Sequence, residues 1–168
     1  MFRIIINKVQ FLIALLGLFI GWLVYAFDRS PEKTYFILKN YLNINFYGTI
    51  PKLFGSIGNN LPAYIHVFSF IMMTASFLRY SKRSYIFICL FWFFVDFMFE
   101  LGQKFKFYSL SMIPEYFSKI PFLDSAQNYF LKGTYDFLDL IAVVCGTLTA
   151  YFFLVITKNE GLENDGEE

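Results

Sequence analysis

Four carboxylates, Asp96, Glu100, Asp136 and Asp139, stand within or at the mouth of apolar segments that contain no Lys or Arg. An ionised carboxylate in hydrocarbon costs several kcal/mol or more, so each has to be protonated, partnered, or turned toward water or a cation. Asp96 and Glu100 are four residues apart and share a helical face, with Gln103 about one turn further on. Asp136 and Asp139, three apart, share another face, and the single histidine, His66, opens a separate apolar stretch. Paired carboxylates whose acidities diverge suit general acid–base work. One His with several carboxylates also suits a divalent cation, but no HExxH-type spacing supports a metal, and no cofactor is expected. A proton or cation pathway would need polar groups through the other half of the segments, which offers little beyond Thr, Ser, Cys and Gly.

Composition sets the surroundings of these groups. The chain is 57% hydrophobic, 23% aromatic and only 16% charged. Soluble domains average about 45–50% apolar and about 25% charged, so this balance reads as an integral membrane protein. A net charge of +1 gives no support to nucleic-acid binding. Cys89 and Cys145 lie in apolar segments without a CxxC and read as small buried hydrophobes.

The runs of apolar residues predict an all-α, polytopic transmembrane bundle of about four helices, since each span needs about 20 apolar residues. Spans are expected at about residues 9–27, 61–78, 84–101 and 135–156, within one membrane domain, 1–157. The first is read as a retained helix rather than a cleaved signal peptide, because its apolar run is long and three more follow. The link 79–83 carries three cations and the N-terminal segment carries Arg3 and Lys8. Both belong on the cytoplasmic side, which puts both termini there. The two long connections, about 28–60 and 102–134, then lie outside. Short amphipathic interfacial helices are expected in them, near Ser30-Pro31-Glu32-KTYFILKNYL and near 124–131, DSAQNYFL. Residues 158–168 form an acidic tail, expected to be disordered and cytoplasmic.

In this threading His66, Glu100, Gln103, Asp136 and Asp139 reach one depth at the outer boundary, with Asp96 about a turn deeper. Each also has a structural role open to it. Thr134 can cap the last span while Asp136 complements its positive end. Asp96 and Glu100 can pair with Lys104 or Lys106, whose stems snorkel along the interface. His66 can hydrogen-bond a neighbouring helix carbonyl. Gly17 and Gly21, spaced as GxxxG in the first span, offer a contact face for a homo- or hetero-oligomer.

The order of the polar groups resembles the VanZ-like family of small bacterial membrane proteins. In that family a His opens one span, a Glu-x-x-Gln closes the next, and Arg-x-x-Asp-x-x-Asp leads into a glycine-containing last span. The counterparts here are His66 in HVFSF, Glu100 and Gln103 in ELGQ, and Asp136, Asp139 and Gly146 in GTYDFLDLIAVVCG, within about Pro62–Tyr151. Gly133 stands at the family's arginine, with Lys132 beside it, and Val143 stands at its asparagine. The resemblance implies a cell-envelope protein of the bacterial inner membrane and no established reaction. The leading expectation is therefore a non-catalytic protein that binds a lipid-linked or amphipathic molecule. Glu100, Asp139 and His66 would contact it, Gln103 and Asp136 would orient them, and Lys104 or Lys132 would offset charge. An enzyme with Glu100 or Asp139 as acid or base and His66 as partner is the second expectation, and a structural subunit of a membrane assembly the third.

Overall fold

The computed structural model describes residues 6–30, 46–49, 51–78, 81–114, 116, 129–130 and 133–158. These contain helices α1 (Lys8–Phe27), α2 (Leu61–Ser76), α3 (Lys82–Lys104), α4 (Lys106–Met112) and α5 (Phe137–Ile156), and a 3-10 turn at Ile57–Asn59. The described structure is all-helical, and three helices, α1, α3 and α5, are long and apolar enough to cross a membrane. At 16 residues α2 falls below that length. With a rise of 1.5 Å per residue it reaches about 24 Å, against a hydrocarbon thickness of about 30 Å.

The shortest of these four helices is also the most enclosed. α2 packs against α1, α3 and α5, and α3 packs in turn on α5. Ala14, Val67, Ile71, Met72, Tyr85, Ile88, Val143, Ala150 and Leu154 form the shared core. Outside it, Leu12, Leu16 and Phe19 on α1, Phe87, Phe94 and Met98 on α3, and Leu148, Phe152 and Ile156 on α5 are exposed. Several polar side chains, by contrast, are buried: Gln10, Ser69, Asp96, Glu100 and Gln103. Large apolar groups outside and polar groups inside invert the arrangement that water imposes and suit a lipid solvent.

Glycines let the helices come this close. A side chain at Gly17 would run into the Ser69 hydroxyl, and a Cβ at Gly21 would lie 3.2 Å from Ile65 Cγ2. At Gly146 it would lie 2.6 Å from both the Tyr64 carbonyl oxygen and Val67 Cγ1. The GxxxG face of α1 was expected to serve a contact with another chain. It is filled instead by α2 of the same chain, because close backbone approach is what two glycines a turn apart permit.

Polar contacts close one end of the bundle. Asn7 Nδ2 donates to the Thr157 carbonyl at 2.8 Å, and the Asn7 backbone N–H donates to the Ser76 carbonyl at 2.8 Å. Asn7 Oδ1 also caps α1 by accepting from Gln10 N at 3.2 Å. One turn in, Gln10 Nε2 donates to the buried Tyr85 hydroxyl at 2.9 Å.

Several boundaries differ from the sequence expectation, among them that of α2, which ends at Ser76 rather than near residue 78. α3 begins at Lys82 rather than near residue 84 and runs to Lys104 rather than 101. Its exposed flanking Lys and Arg are good helix formers, so helical backbone outlasts the apolar run. α5 begins at Phe137 rather than 135, because Asp136 is its N-cap. α4, not anticipated from the sequence, follows a break at Phe105 (φ −106°, ψ 50°) and is tied back by Ser109 Oγ donating to the Gly102 carbonyl at 3.0 Å. The amphipathic helix expected near 30–42, the segment 124–128, and the tail beyond Lys158 lie outside the described residues.

Replacing Gly146 by Ala should destabilise the protein by about 1–3 kcal/mol, because backbone stands where the methyl would go. Gly21→Ala, which meets only a side-chain methyl, should cost clearly less. Unfolding of the two variants in detergent checks the order.

Candidate functional site

The antiparallel course of the helices gathers the sequence's polar groups at the end where α1 and α3 finish and α2 and α5 begin. Asp136 caps α5, its Oδ1 accepting from Leu138 N at 3.0 Å, so Asp136 rather than Thr134 takes the helix-end role. Asn60, immediately before α2, donates through Nδ2 to Asp139 Oδ1 at 2.8 Å and to Asp136 Oδ2 at 3.3 Å. One amide thus bridges the two aspartates and joins α2 to α5.

Glu100 is 8% exposed, and its Oε2 accepts no hydrogen bond from any described residue. Asp139, Asp96 and Asp136 all act on it with like charge, and Arg29 acts with opposite charge. Arg29 acts on Asp139 in the same way. This guanidinium, just beyond the end of α1, also donates to the Asn59 carbonyl and lies over the Tyr25 ring at 5.4 Å from its centroid.

Gln103, also buried, is hydrogen-bonded to Tyr129. Burial, and after it the negative charge of Glu100, hold the Tyr129 hydroxyl well above its usual acidity range, while the bond to Gln103 opposes them. Tyr129 therefore stays neutral. A Cβ on Gly133 would lie 2.5 Å from the Tyr129 carbonyl oxygen and 2.9 Å from Gln103 Cδ. Position 133 is thus packed too tightly for a side chain, and the guanidinium that acts on Glu100 and Asp139 is that of Arg29.

His66 does not join Glu100 and Asp139. Its Nδ1 lies 2.9 Å from Asp96 Oδ1, bridging α2 and α3, and its ring meets Phe70 edge-on at 4.3 Å. The His66 side chain is 51% exposed and that of Asp96 only 8%, so the imidazole lids a buried carboxylate. Asp96 Oδ2 accepts no hydrogen bond from any described residue. Lys104 pairs with none of the four carboxylates. Its ammonium sits over the Tyr135 ring at 5.1 Å and near Phe105 at 5.9 Å, which corrects the expectation that it offsets their charge. A stem leaving the end of α3 meets those two rings first, and an ammonium is attracted to an aromatic face. Lys132 lies outside the described residues. No group of three His, Cys, Asp or Glu side chains converges as a metal-binding set among the described residues.

The sequence reading missed Arg29, Asn60 and Tyr129. The signal for two of them was present: Arg29 directly follows one apolar run and Asn60 directly precedes another, so helix arithmetic puts both at the depth of Glu100 and Asp139. Comparison with protein families, curated proteins and solved structures gave no match.

His66→Ala should cost about 1–3 kcal/mol, since it strips the only described partner from a buried aspartate. Asp96→Leu on top of His66→Ala should recover part of that loss. A double-mutant cycle in detergent, read by thermal unfolding, measures the coupling.

Proposed function

We propose that this chain is a VanZ-like protein of the cell envelope whose polar end binds the head of a lipid-linked or amphipathic molecule. The observation that carries the reading is Glu100: nine-tenths buried, with an oxygen that accepts no hydrogen bond from any described residue. A buried acceptor left without a donor costs about 1–3 kcal/mol, more when charged, and a fold tolerates that where the donor arrives with a ligand. In this reading α2 is a fourth span, its short length offset by neighbours on three sides. Both termini are cytoplasmic in the inner membrane, as the cations at 79–83 favour, and the polar end opens toward the outer leaflet. Glu100 and Asp139 contact the ligand, Gln103, Asn60 and Asp136 orient them, and Arg29 supplies the balancing cation.

A second reading rests on the His66–Asp96 pair. A carboxylate on Nδ1 fixes an imidazole in one tautomer and orientation, which is how acid–base sites are built. In an enzyme of this kind His66→Gln would abolish turnover while ligand binding persisted.

Glu100→Gln and Asp139→Asn, singly and together, separate function from structure. In the binding reading both fold, and their thermal stability in detergent is unchanged or higher by up to about 2 kcal/mol, because charge kept at a cost has been removed. Collapse of both single variants would mean that the carboxylates are structural partners, and the site would have to be abandoned.

A further inference from the structure

Resting on that binding reading, the geometry points to the chemical class of the head: we infer that the polar end of the bundle takes a primary ammonium group, held by Glu100 and Asp139. Two observations independent of the carboxylate count lead there. Glu100 Oε2 and Asp96 Oδ2, both on side chains more than nine-tenths buried, accept no hydrogen bond from any described residue. They call for donors, not acceptors. Among the described cations Lys104 rests on Tyr135 and His66 on Asp96, so that Arg29, which also donates to Asn59, is the one that acts on Glu100 and Asp139.

Charge decides between donor types. Hydroxyl groups of a sugar or glycerol would satisfy the acceptors but leave several carboxylates facing one another, each raising the cost of its neighbour's charge. A primary ammonium supplies three N–H donors and a positive charge in one small group. A quaternary ammonium offers no N–H to those acceptors. The site should therefore separate ethanolamine-type from choline-type heads. The amine can arrive on a lipid or as a free molecule, and the chemistry of capture is the same.

The test uses the full chain in a neutral detergent and follows thermal unfolding while three probes are titrated: a short-chain phosphatidylethanolamine, the matching phosphatidylcholine, and free ethanolamine. Stabilisation by the ethanolamine-headed lipid and not by its choline twin is expected. Glu100→Gln should weaken that response roughly ten- to hundredfold, the loss of one charge-assisted hydrogen bond. Asp139→Asn serves the same purpose if Glu100→Gln does not fold. An equal response to free ethanolamine would keep the ammonium site and assign it to a soluble amine. Equal stabilisation by both lipids, or a response only to sodium, potassium or magnesium ions, would overturn the inference. If the carboxylate variants fold with unchanged or raised stability yet no amine stabilises the wild type, the ammonium assignment alone fails. If those variants collapse, the binding reading fails with it.

Discussion

Lipid supplies no hydrophobic force to push one apolar helix against another, so a bundle with an oily exterior must be held by close packing and by polar contacts inside it. In this chain both depend on α2. Gly17 and Gly21 bring α1 onto it, Gly146 brings α5 onto it, and His66 and Thr74 reach from it to Asp96 and Trp92 of α3. Without that central helix α1 would lose its main contact surface, and Asn60 would no longer stand between Asp136 and Asp139.

The two ends of the bundle treat polar groups differently. At one end Asn7 satisfies several backbone and side-chain partners at once, and Gln10 finds the Tyr85 hydroxyl. These contacts hold helices together, although Gln10 Oε1 accepts no hydrogen bond from any described residue. At the other end the bonds are incomplete: Asn60 serves two aspartates, His66 covers one oxygen of Asp96, and Glu100 keeps an oxygen unserved by the described residues. Asp28 shows that this end can also be fully satisfied where structure requires it, accepting from the Leu53 and Phe54 backbone at 2.8 and 2.9 Å. Gln10 Oε1 and Ser69 Oγ also lack a described partner, so what sets the face of α3 with Asp96 and Glu100 apart is that its unserved oxygens belong to carboxyl groups.

Much of the architecture was legible because long helices with apolar exteriors announce themselves as apolar runs. The runs at 9–27, 84–101 and 135–156 became α1, α3 and α5 with small shifts at their ends. Asp96, Glu100 and Gln103 were legible as one face from spacing alone, and all three are buried. What the sequence did not yield is partner choice. His66 went to Asp96 rather than Glu100, Lys104 went to an aromatic ring, and the GxxxG face turned inward, because these outcomes depend on which helices become neighbours. Arg29 was not legible from the charges inside apolar runs because it stands just past one, where a cation reaches the same depth.

The bond from Asn7 to the Thr157 carbonyl joins residues 150 apart in the chain. During synthesis the first of these emerges long before the second exists. The clasp can form only once α5 has been made, so until then α1 goes without this tether, and a chain interrupted before α5 would leave Asn7 Nδ2 without this acceptor.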